Sequence, residues 1–315
     1  MIGSVLATFV GGIINRMRFP HQGEGGRSVS DTVLQTFQRG CEFGLKGYPY
    51  ESVLKESQSL PWNIRAFFNE GHAMGAAGRA ACLFRKNPES KMTSTNYQVM
   101  RFVGYGFWNG VAEVYPIPKI SEQRSYWNDI EAFPKYGLLM PNGYGFARVL
   151  FRGNFDQQLR NRLIGIEDER KREAAFHGVG RVLWFLYLNN FPELKKILKE
   201  NEEIAEPLAI GLGLAIAFTQ IATPERILMA LDHFPDAQRS NLIRGAGIAL
   251  QVHAHNDPEC KFHIEKTLIG EMRDWYEGAW KASDEAGNGE EWYPKYHALT
   301  KRFVQAKPLK EVNYV

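Results

Sequence analysis

Cysteine is scarce in this chain, and so is net charge. Three cysteines stand among 315 residues, at Cys41, Cys82 and Cys260. They are widely separated and odd in number, which suits reduced thiols in a cytoplasm rather than a secreted disulfide framework. Thirty-eight basic residues nearly balance thirty-five acidic ones, and the resulting charge of +3 is too slight to mark a nucleic-acid partner. No apolar run reaches the roughly 20 residues that cross a bilayer. The apolar stretch from Met1 to Ile14 has its first basic residue behind it, at Arg16. A secretory signal carries that charge in front, so core packing is the simpler use. Gly-x-Ser-x-Gly, paired Cys-x-x-Cys and His-Glu-x-x-His motifs are missing, as is a phosphate loop, so no nucleotide or metal cofactor is expected. No apolar–polar alternation is long enough to demand a sheet.

What the chain has in quantity is glycine, 30 residues of it, and it recurs with a period. A glycine followed by a small residue two or four places on appears at Gly40, Gly71, Gly104, Gly143, Gly178, Gly211, Gly245 and Gly278, in steps of 31 to 39 residues that average 34. That is the length of one helix–turn–helix unit in a stacked array. Two places on stand Gly106, Gly145, Gly180, Gly213 and Gly247; four places on, Gly44, Gly75, Ala147, Ala215, Ala249 and Ala282. A helical glycine costs about 1 kcal/mol against alanine, and its repetition points to close helix stacking. Gly104-Tyr105-Gly106 superficially matches a dinucleotide fingerprint, but no strand precedes it.

The residue before each glycine forms a second series: Arg39, Glu70, Val103, Asn142, His177, Ile210, Arg244 and Glu277. Six of the eight are polar among apolar and small neighbours, so as a row across stacked copies they can line one groove. Near helix starts they would instead serve free N–H groups. Glu70 and His72 are two apart and so diverge on a helix; Glu70 beside another member of the row is the better acid/base pair. A carboxylate next to Arg39 would stay ionised, and one in an apolar groove would rise in pKa. His177 and Arg181, four apart, share a face and can jointly hold an anion or carbonyl. Trp108, Trp184 and Tyr144 offer aromatic surface for a long unsaturated ligand or for the core. The run His253 to Cys260, with His263 near, collects metal-ligand types, but at this spacing it reads as one helix end and the cap of the next.

Punctuation divides the chain into a leader over residues 1–30, a helical-repeat region over 31–300 and a polar tail over 301–315. Asp31 is placed to cap the first helix. Phe191-Pro192 and Thr223-Pro224 open later ones. The longest interval, with Pro116, Pro118 and Pro134, resembles a loop of the kind that carries binding, and Lys86 to Ser90 another. The reading is an all-α array of helical hairpins, a TPR-like α-solenoid.

Five stretches carry a family resemblance: Thr36 to Gly40, Arg65 to Gly75, Val103 to Phe107, Asn142 to Phe146 and Gly178 to Phe185. In this order, across about residues 16–260, the chain resembles the bacterial family named domain of unknown function 1702, whose members are often found beside enediyne-type polyketide synthases. Glu70, Gly71, Gly143, Gly145, Gly180, Arg181 and Trp184 match its pattern. His72 stands where the family has alanine, and Asn142 replaces the acid of an Asp-Gly pair. The resemblance implies an accessory protein of polyketide biosynthesis, and the cysteines suit a cytoplasmic one. It would bind a hydrophobic polyene or polyketide intermediate in the groove, with or without altering it, and would meet other biosynthetic proteins. The resemblance names no reaction; from the row, the helical spacing and the aromatic content, Glu70, His177 and Arg181 are the candidate catalytic residues, and Arg39, Asn142, Tyr144, Trp108, Trp184 and Arg244 the candidate substrate contacts. A second expectation is a non-catalytic scaffold that takes a partner protein or peptide on an open concave face.

Overall fold

Proline, side-chain caps and apolar periodicity divide the chain into fourteen α-helices in the computed structural model, which describes residues 26–83, 97–115, 135–289 and 291–305. In order they are α1 (Gly26–Lys46), α2 (Tyr50–Ser59), α3 (Arg65–Cys82), α4 (Gln98–Val114), α5 (Leu139–Arg152), α6 (Gln157–Ile164) and α7 (Glu169–Tyr187). Then follow α8 (Phe191–Glu200), α9 (Ala205–Gln220), α10 (Pro224–Asp232), α11 (Asp236–Asn256), α12 (Pro258–Thr267), α13 (Met272–Ala286) and α14 (Trp292–Phe303). There is no strand among the described residues. The protein is all-α.

The boundaries have local causes. Asp156, Asp168, Asn190 and Asp257 cap α6, α7, α8 and α12 by accepting from backbone N–H groups of the first turn. Pro224 and Pro258 stand first in α10 and α12, where their missing N–H costs nothing. Thr223 occupies the cap position of α10 without capping; its hydroxyl donates to the Gln220 carbonyl instead. The His253–Cys260 run divides as the sequence suggested: α11 ends at Asn256 and Asp257 caps α12. Asp31 is not a cap. Helix α1 begins at Gly26 and carries Asp31 exposed in its second turn, because Val29 and Ser30 already face the core. At the other end α14 runs through Phe303, past residue 300, and buries Val304. The two loops expected at Lys86–Ser90 and around Pro116–Pro134 lie outside the described residues, as does the Met1–Ile14 stretch.

Long and short helices alternate over the second half. The short α8 is amphipathic, burying Leu194 and Leu198 one turn apart. The long α9 is apolar nearly all round, since α7 and α11 cover it on either side. The successive long helices α1, α3, α4, α5, α7, α9 and α11 each pack on the next. A single continuous core runs from Val33 to Val304.

Glycine sets the distance between them. A methyl group on Gly143 would lie 1.8 Å from the Val103 carbonyl oxygen; on Gly178, 1.8 Å from that of Asn142; on Gly211, 2.0 Å from that of His177; on Gly245, 1.9 Å from that of Ile210. In each case the carbonyl belongs to the residue just before the glycine of the preceding helix. The second glycine of each pair faces the other way. Gly145, Gly180 and Gly213 abut the carbonyls of Ala175, Leu208 and Leu242 in the following helix. Backbone thus lies directly on backbone, and any side chain would force the helices apart.

Distant parts of the chain also meet. Arg65, at the start of α3, donates to Glu259 of α12 at 2.6 Å, and the Tyr97 hydroxyl donates to Asp257. Trp62 stacks on His263 with ring centres 5.1 Å apart. Among the described residues no helix is long and apolar enough to cross a membrane.

Gly178→Ala is expected to destabilise the protein by at least about 2–3 kcal/mol, the cost of overpacking against immovable backbone. Gly165→Ala, where the nearest atoms are 3.5 Å away, should stay within about 0.5 kcal/mol. Urea denaturation of the two variants checks the contrast.

Candidate functional site

From Gly104 onward the residues whose carbonyls seat the next helix are Glu70, Val103, Asn142, His177 and Ile210. Their side chains turn inward together, and all five line one of two cavities. The first lies among α1, α3, α4, α5 and α7, walled by Phe37, Phe67, Phe107, Phe146, Phe151 and Phe185, with Glu70 and Arg181 as its ionic groups. The second lies among α4, α5, α7, α9, α11 and α14. It holds Asn142, His177, Arg181, Tyr293 and His297 among apolar residues. They contain about 510 and 550 Å³ of atom-free space, mouths included, and both are narrow slots between closely packed helices.

Arg181 lines both cavities and joins them. Its Nη2 donates to both oxygens of Glu70, at 2.9 and 3.1 Å, and its Nη1 donates to Asn142 Oδ1 at 2.8 Å. The guanidinium lies 5.0 Å from the centre of the Phe146 ring. Burial pushes the Glu70 carboxyl above its ordinary pKa, while the Arg181 charge and hydrogen bonds pull the other way. So Glu70 pairs not with another member of the row, Arg39 included, but with Arg181, which stands outside it.

On the second cavity, His177 Nδ1 and Tyr293 Oη share a hydrogen bond of 2.7 Å, and the His177 and His297 rings stack at 4.4 Å. Arg244 sits behind them, donating to the His297 carbonyl at 3.1 Å and to Glu206 at 2.6 Å. Burial, and then the Arg244 charge, lower His177 to about 3. Burial, His177 and Arg244 together lower His297 well below its ordinary range. Burial holds the Tyr293 phenol well above its own. All three groups are neutral near pH 7, so they can exchange hydrogen bonds and hold a proton but present no charge.

The other expected contacts fall elsewhere. Arg39 is exposed and pairs with Glu56, because α1 turns that face to solvent. Tyr144 donates to Glu113 at 2.9 Å, beside Arg148, away from either cavity. Trp108 fills the notch at Gly78. Trp184 is fully buried, with its indole N–H on Thr219 Oγ1 at 2.8 Å. Glu277 is exposed. Arg244 supports the histidines from behind without lining the cavity. His72 is buried and lowered to about 4 by burial and then by Arg101, and it faces neither cavity. The sequence reading missed Tyr293 and His297; their spacing of four, on a helix with Trp292 and Tyr296, was the available signal.

The family described as protein of unknown function (DUF1702) matches residues 12–219. That segment contains Glu70, Asn142, His177 and Arg181 and leaves α14 outside. No curated protein and no solved structure matches the chain.

Two outcomes follow from the electrostatics. His177 has its folded pKa near 3 and its unfolded pKa near 6.5. Between those values the unfolded chain binds more protons, so stability is full above about pH 6.5 and falls as pH drops. The slope should be about 1.4 kcal/mol per pH unit for each histidine so held, and flatter in His177→Gln; denaturation midpoints at stepped pH measure it. Arg181→Ala should cost about 3–5 kcal/mol by leaving Glu70 buried without its partner, and Glu70→Gln/Arg181→Met much less.

Proposed function

The chain belongs to the DUF1702 family of proteins of unknown function, and from that premise we propose that it is a cytoplasmic accessory protein of enediyne-type polyketide biosynthesis. It holds a long polyene or polyketide intermediate inside an array of helical hairpins with a period near 34 residues, a TPR-like α-solenoid. The glycine seats, which repeat from helix to helix at equivalent positions, support that architecture. The biosynthetic setting rests on the family resemblance.

One observation carries the ligand reading. Two narrow slots, one walled by six phenylalanines, meet at a single buried polar seam of Glu70, Arg181, Asn142, Tyr293 and His177. A slender, flat, conjugated chain suits such slots, where apolar burial and ring contacts supply affinity and a few polar groups fix its position. Glu70, His177 and Arg181 would act on or orient the reactive end, and Asn142 would help to hold it. A peptide-binding scaffold would keep the same polar row in solvent. Glu70 and His177 are 2% and 1% exposed, which favours an enclosed small molecule.

Native mass spectrometry of protein purified from its own host, followed by solvent extraction, tests this. The expected result is a bound apolar molecule with conjugated-polyene absorption that is lost in Arg181→Ala. A ligand-free chain that brings down another protein in fixed stoichiometry would overturn the proposal.

A further inference from the structure

The charges along the two cavities cancel. Among the described residues that line them, the ionisable groups are Glu70, Arg181, His177, His297, Tyr293 and Tyr296. Arg181 is the one permanent cation of the set, and its hydrogen bonds go to both Glu70 oxygens and to Asn142, with its face on Phe146. The two histidine rings stack 4.4 Å apart with the Arg244 guanidinium bound to the His297 carbonyl. Protonating either ring would add a second positive charge near Arg244 with no carboxylate in hydrogen-bond reach; half-buried Glu173 stands 3.9 Å from His177 Nε2. Arg244 itself is held by Glu206.

From this arrangement we propose that the site selects an uncharged chain, whose only polar group is a neutral oxygen such as an ester, ketone or hydroxyl, and rejects the corresponding carboxylate. The proposal rests on the reading of the cavities as a ligand site. A carboxylate would have to displace Glu70, leaving two buried anions for one cation, or lie against neutral rings whose nearest cation, Arg244, is already held by Glu206. Either is costly in a low-dielectric interior. A carbonyl or hydroxyl meets no such obstacle, and the Tyr293 hydroxyl and His177 ring can exchange their mutual hydrogen bond for one to it. Arg181 is thus placed to join the helices across the seam rather than to bind an anion.

The test uses the full chain near neutral pH and a pair of fluorescent probes with one tetraene tail, parinaric acid and its methyl ester. The ester is expected to bind at least about tenfold more tightly, equivalent to about 1.4 kcal/mol. An acid that binds as well as the ester overturns this inference while leaving the cavities as a ligand site. Binding of neither probe overturns the ligand reading and this inference together. Glu70→Gln leaves the Arg181 cation uncompensated and should shift the ester-to-acid ratio towards the acid by about tenfold or more. A folded variant with the ratio unchanged overturns the charge-compensation argument. Should that variant not fold, Glu70→Gln/Arg181→Met, which carries neither charge, is expected to keep the ester preference, and its loss there counts against the proposal.

Discussion

A peptide carbonyl of one helix occupies the place where a side chain of the next would begin, and most of this structure follows from that contact. Gly104, Gly143, Gly178, Gly211 and Gly245 take it in turn, each against the residue before the previous helix's glycine. Such contact allows no compromise, since the obstructing atom is backbone and cannot rotate aside. It also determines where side chains go. The residues whose carbonyls seat Gly104, Gly143, Gly178, Gly211 and Gly245 send their side chains inward, each to one of the two cavities.

That is why a row of polar residues lies in the middle of an apolar protein. Glu70, Asn142 and His177 are carried there by the helices they seat. Once buried, they require partners that the local chain does not hold. Glu70 finds Arg181, 111 residues away; His177 finds Tyr293, 116 away. These bonds cross the interior and tie early helices to late ones, as Arg65 and Glu259 do nearer the surface. The seam therefore belongs to the fold and to the site at once, and a change in it is felt in both.

The C-terminal helix gives the interior its second wall. Tyr293 and His297 complete the hydrogen-bonded cluster, and Tyr296 anchors the helix by donating to Gln251 at 3.0 Å. The family match ends at residue 219. Glu70, Asn142, His177 and Arg181 of the seam thus lie inside the matched segment, while Tyr293 and the wall that carries it come from outside.

The glycine spacing announced helices laid closely side by side, because only a missing Cβ allows that approach and the sequence records every missing Cβ. The absence of alternation announced an all-helical chain for a similar local reason. The inward row was visible too, in Glu70, Asn142 and His177, since it stands at one fixed offset from the glycines. Which members pair was decided only by the tertiary structure. Arg39 carries the same offset as Glu70, but the carbonyl that meets Gly71 is that of Phe37, and the Arg39 side chain reaches solvent and Glu56. Trp108 and Trp184 could serve as ligand surface or as core in the sequence, and packing decided for core. The partnership of Glu70 with Arg181, and of His177 with Tyr293, joins residues more than a hundred positions apart. No local pattern encodes such a separation; it arises from the packing of helices that are far apart in the chain.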